Sequence, residues 1–211
     1  MEAAAAGARA VVDYLVQQRD GYLARFAAWD VEWAIQNARI MQQATYLAVG
    51  GAGYRDRAMA ANIDWILERN PGARIVVWAH NLHVARTADA MGSQLAARHG
   101  ADYVVFGQVF HAGDYNAFNY SHVLTANAAT VSFPGTVEYV LYNAGMPRFF
   151  LDMRQASLAE PGSSWLFGVT QYRNIGAGVS DSFTFTWQLT TDYDVLIFFD
   201  QTSPSALLPF V

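Results

Sequence analysis

The stretch "ARIVVWAHNLHVAR", residues 73–86, decides the fold class. Its first part, "RIVVW", is a run of branched and aromatic residues with the composition of a strand covered on both faces. Ahead of it, Arg55 to Asn70 is expected to be a helix closed by "NPG", because Met59, Ala60, Ile63, Ile66 and Leu67 form one apolar stripe. Behind it, residues 86–98 return to helical composition up to "RHG", and "ADYVVFGQVF", residues 101–110, reads as a second strand. Helix, short turn and apolar strand make the repeating unit of an α/β fold, and two parallel strands joined in this way take a right-handed crossover. The expected fold is therefore α/β, a sheet of mostly parallel strands with covering helices.

On the N-terminal side, residues 4–49 contain no proline and only Gly7 and Gly21. Val11, Tyr14, Leu15, Tyr22, Phe26, Trp29, Trp33 and Ile40 recur at helical spacings, so a long helical segment is expected, broken near "RDGY" and stopped by "GGAG" at 50–53. On the C-terminal side, "HAGDYNAFNYSH", residues 111–122, reads as a polar aromatic loop, and "PGTVEYVLYNA" as a short helix. "RFFLDM" and "DVLIFFD" read as strands, with a Gly, Ser and Thr-rich segment between them holding a hairpin. No internal repeat is present. The length, 211 residues, suits a single domain over 1–211 in which 1–49 is the helical segment.

Composition closes several function classes. Hydrophobic residues are 53% and charged ones 15%, yet no stretch has the uninterrupted apolarity of a membrane span, so no membrane partner is expected. A net charge of −5 with 13 scattered Lys and Arg argues against nucleic acid. The absence of cysteine removes thiol nucleophiles and cysteine-based metal sites. Glu2 precedes any basic residue, which is a poor start for a signal peptide, so cytoplasmic residence is expected. There is no G-x-S-x-G elbow, P-loop or dinucleotide fingerprint.

All five histidines fall between residues 80 and 122. His80 and His83 follow the expected strand, at the edge where α/β folds gather ligand-binding groups, and within one helical turn a spacing of three puts both imidazoles on one side. They serve either as acid and base near neutral pH or as polar residues that trim a strand end. The His-Asn-Leu-His sequence lacks the Glu of a zinc-protease motif, and a metal site would have to recruit His111, Asp114 or His122, so neither metal nor other cofactor is expected. His99, beside Gly100, reads as a helix C-terminal cap. Arg55, where a helix opens, is either paired with Asp56 or another acid, or a donor to a substrate carbonyl. Asp194, Asp200 and Glu138 read as caps or solvent-facing groups.

With these residues laid out, the chain resembles the erythromycin esterase family. The resemblance rests on "RDRAMAANIDWIL" leading to "ARIVVWAHNLHVA", then on "GQVFHAGDYNA" and the closing "DVLIFFDQTSP", and spans about residues 50–205. It implies metal-independent hydrolysis of a macrolactone or other carboxylic ester, with macrolide resistance as one outcome. It makes His80 and His83 active-site histidines and Arg55 a pocket residue that binds or polarises the ester. His111, Tyr115 and Asn81 are the expected substrate-binding residues. The alternative is a non-catalytic module that keeps the pocket and binds a small or sugar-bearing ligand.

One departure stands out. Family members carry an earlier half with a Gly-Glu-x-x-His-Gly type motif, and here no His precedes His80. The chain thus looks like the C-terminal half of the family's domain, and sheet faces left uncovered in such a half would favour homo-oligomers.

Overall fold

The structure, a computed structural model, describes residues 2–47, 50–51, 53–168, 170–179, 181–186 and 189–207. Ala48, Val49 and Ala52, at the expected glycine-rich stop, and Ser180, Trp187 and Gln188, in the Gly, Ser and Thr-rich segment, lie outside the described residues. The chain divides into two compact units, Met1–Ile75 and Val76–Val211.

The first unit is helical, as its spacing predicts: α1 (Glu2–Gln17), α2 (Arg19–Leu23), α3 (Ala28–Tyr46) and α4 (Tyr54–Arg69). Val31, Ile35 and Ala38 of α3 are buried, as are Ala5 and Val12 of α1 and Ala60 and Trp65 of α4. Each fully buried Val or Ile stabilises by roughly 1.5–3 kcal/mol. Trp33 meets Trp65 edge-on at 4.8 Å between centroids. Glu32 of α3 joins three helices by accepting from Arg19 of α2 at 2.6 Å and from Arg69 of α4 at 2.5 Å. Buried Gln36 donates to Asn62 at 2.7 Å, and Asn62 to Gln43 at 2.9 Å, so these three carboxamides between α3 and α4 are hydrogen-bonded in series.

The second unit is α/β. Its helices are α5 (Asn81–Val84), α6 (Met91–His99), α7 (Val137–Tyr142) and α8 (Leu189–Asp192), with single 3-10 turns at Gly100–Asp102 and Ser164–Phe167. Its strands are β1 (Phe106–Phe118), β2 (Leu124–Ala128), β3 (Arg148–Asp152), β4 (Thr170–Ile175), β5 (Asp181–Thr186) and β6 (Val195–Thr202). Four strands form a sheet in the order β2-β1-β6-β3, and β4 and β5 form a separate hairpin. The core gathers Val105, Val109, Val137, Leu141, Met153, Leu166, Tyr172, Leu189, Tyr193, Leu196 and Phe198.

The α/β class holds, but the sheet is mixed, not mostly parallel. Only β1 and β6 run parallel, from Phe106↔Val195 to Gly113↔Thr202. β2 is antiparallel to β1 and β3 is antiparallel to β6. The first antiparallel pair follows from a tight turn, in which the Asn119 side chain accepts from the backbone of Ser121 at 2.9 Å and of Val123 at 3.0 Å, while His122 takes φ +57°.

Two further expectations are corrected. "RIVVW" is not a buried strand: no residue from 73 to 80 has strand assignment, Val76 is 93% exposed and Trp78 is 84% exposed. The expected crossover from this segment to β1 therefore has no first strand. A physical reason lies five residues on from Val76. The Asn81 carboxamide donates to the Gln108 carbonyl at 2.6 Å and accepts from the Gln108 N–H at 3.0 Å, occupying backbone groups of β1 that a neighbouring strand would use. Second, residues 111–118 are strand and not loop, because β1 changes partner at Asp114, from β6 on one edge to β2 on the other.

Candidate active site

His80 is the N-cap of α5. Its Nδ1 accepts the Leu82 N–H at 3.2 Å. A nitrogen that accepts carries no proton, so Nε2 carries it and donates to the Ile175 carbonyl at 2.7 Å. Both nitrogens are thus engaged, and the second bond ties α5 to the end of β4. His83, on α5 itself, is half-buried, with its ring centroid 6.3 Å from that of His80 and the planes 75° apart. The helical spacing does bring the imidazoles near one another, edge to face.

A cleft of about 530 Å³ opens beside His80. Trp78, Phe110 and Phe199 give it aromatic surface, and Gln108, Gln201 and Ser203 give it neutral polar surface. Asn81 also borders it, with its carboxamide committed to Gln108. Among the described residues no carboxylate lines it, and the one cation is Arg173. Arg173 is buried, donates to the carbonyls of Phe110 at 3.4 Å, His111 at 3.2 Å and Thr130, and lies between the Phe110 and Phe183 rings at 4.5 and 4.8 Å. Two aromatic faces and several carbonyls suit a buried guanidinium. The residue after Tyr172 in "TQYRNI" thus borders the cleft, although its segment reads as loop in the sequence.

Of the other expected binding residues, His111 lies buried beneath α7. Its ring stacks on Tyr142 at 3.8 Å and its Nδ1 bonds the Ser132 hydroxyl at 2.6 Å. Tyr115 is half-buried in β1, opposite Asn127 of β2. Neither borders the cleft. Arg55 lies in the first turn of α4, in the first unit, whereas His80 and His83 belong to the second. Glu138, expected to face solvent, is fully buried, and its Oε1 accepts the Arg173 N–H at 2.6 Å. Asp194 does cap, accepting from the Val105 N–H at 2.7 Å and pairing with Arg86. Asp200 lies inside β6 and not at its end. Burial pushes the Tyr103 phenol up to about 12, against the lowering influence of Arg86, and the same burial raises Tyr172 and Tyr193. Among the described residues no three His, Cys, Asp or Glu side chains gather as a metal-ligand set, and no helix is long and apolar enough to cross a membrane.

The fold recurs in solved structures. A Bacillus cereus protein superposes with a TM-score of 0.81 at 23% identity, over 95% of this chain and 52% of its own. A protein described as acting in succinoglycan biosynthesis superposes with a TM-score of 0.76 at 20% identity, over 94% of this chain and 49% of its own. The chain therefore spans about half the length of each of these structures. No curated protein matches it significantly. The sequence model of the erythromycin esterase family matches residues 1–202, taking in the N-terminal helices as well as the stretch around His80. The chain belongs to the erythromycin esterase family.

Proposed function

We propose that the cleft beside His80 is the histidine-bearing part of an ester hydrolase site, acting on a small-molecule carboxylic ester, macrolactones included, by metal-independent attack of water. The observation that carries this reading is the placement of His80 on the cleft of a chain that the erythromycin esterase model matches over residues 1–202. The lining supports an uncharged substrate. Aromatic faces and the carboxamides of Gln108 and Gln201 would hold an apolar ring with neutral polar substituents, and no acid among the described residues of the lining would attract a cation. His83 would serve as general base.

The test is turnover of erythromycin and a panel of simple esters by the purified chain, followed by mass spectrometry. His83→Ala should lower turnover by about 100-fold or more, the usual worth of a positioned acid or base. A folded chain that consumes no ester would overturn the catalytic reading. A second reading, binding without catalysis, is favoured by one observation: both nitrogens of His80 are engaged, which leaves neither to take a proton from water. Saturable, calorimetrically measured binding of erythromycin without product would select it.

A further inference from the structure

We propose that Arg173 is a positioning residue for His80, fixing β4 so that the Ile175 carbonyl stands where the imidazole Nε2–H donates. This rests on the reading that His80 belongs to the working site.

β4 has few backbone ties to the main sheet. It pairs with β5 from Thr170↔Thr186 to Ile175↔Asp181, and an isolated bridge joins Gln171 to Thr136. Besides the burial of Tyr172 in the core, the placement of β4 against β1 and α7 is held by hydrogen bonds of Arg173. The side chain donates to two consecutive β1 carbonyls, Phe110 and His111, and to Thr130 beyond the β1–β2 hairpin. The backbone N–H of the same residue donates to buried Glu138 on α7. The guanidinium also lies over the Phe110 ring, from β1, and the Phe183 ring, from β5. Two residues further along β4, the Ile175 carbonyl receives the His80 Nε2–H at 2.7 Å, while Nδ1 is turned to the Leu82 N–H. A planar guanidinium can satisfy several carbonyls at fixed angles, whereas an ammonium is a single point charge on a flexible stem. Substituting Lys should therefore keep the charge but lose the fixed placement of β4.

The readout is the His80 Nε2–H resonance in the proton spectrum of the full chain, assigned by its loss in His80→Gln. In the native chain this proton should be sharp and slow to exchange with solvent, because it is held by a carbonyl. Arg173→Lys should broaden it or speed its exchange at least tenfold, while the amide resonances of residues 106–113 persist. Arg86→Lys is the control: Arg86 is also a partly buried cation of this unit, paired with Asp194, but it has no bond to β4. An unchanged resonance in folded Arg173→Lys overturns the proposal, as does equal loss in Arg86→Lys. Phe183→Leu, which removes one ring from the guanidinium and leaves its hydrogen bonds in place, should shift exchange in the same direction; no shift there in a chain whose Lys variant does not fold also overturns it. The signal does not depend on ester turnover, so failure of this inference and failure of the hydrolase reading are separable. If turnover exists, Arg173→Lys should lower kcat with KM little changed.

Discussion

At the scale of single residues, side-chain amides and phenols do work that their sequence positions do not advertise. Asn81 reads as one polar residue between two histidines, yet it makes two bonds to the backbone of Gln108. Asn81→Ala should cost about 1–2 kcal/mol in urea unfolding, at about 1 kcal/mol for each bond lost. Tyr103 donates to the Val84 carbonyl at 2.7 Å, and burial raises its phenol from 10.0 to about 12. A raised value means that the fold favours the neutral phenol. Its contribution to stability is fully present below pH 10 and is lost as pH rises to about 12, so ultraviolet titration should show a late phenolate step that Tyr103→Phe lacks. The turn that opens at His80 was legible from "WAHNLHVAR", because a spacing of three fits one helical turn. The engagement of both His80 nitrogens was not, since one partner, Ile175, is remote in the chain.

At the scale of elements, the closest approach is between α5 and α6. A Cβ at Gly92 would stand 2.0 Å from the Val84 carbonyl oxygen and 2.3 Å from that of Ala85, both backbone atoms. Gly92→Ala should therefore destabilise by roughly 1–3 kcal/mol or more, measured by thermal or chemical unfolding, as overpacking of a site that cannot yield. The helices of the first unit and the strands "RFFLDM" and "DVLIFFD" were legible, because each carries its own period and finds a partner that suits it. "RIVVW" has strand composition as well, but β propensity describes a surface that fits a sheet and supplies no ladder. The converse error was at "HAGDYNAF", where Gly113, Asp114 and Asn116 suggest a turn. Pairing overrides local preference there: Gly113 sits at φ +119° against Thr202, and the strand continues past it with β2 as its new neighbour.

At the scale of the whole molecule, the division at Ile75 and Val76 falls within an exposed run, Pro71 to Val76, that has no strand assignment. Such a run is where proteases cut first. Brief trypsin treatment should cleave after Arg74 before other sites, giving fragments 1–74 and 75–211 by mass spectrometry; an intact chain at times when helical sites are already cut would contradict the two-unit description. The family was readable in the sequence from a few local motifs, whereas the division into units was not, because the helix before "RIVVW" and the strand expected within it suggested a continuous layer. The parallel register from Phe106↔Val195 to Gly113↔Thr202 also sets an order in time. During synthesis β1 leaves the ribosome well before β6, so its inner edge waits, unpaired, until residues 195–202 have been made. Closing the cleft therefore depends on contacts distant in the chain, which form slowly.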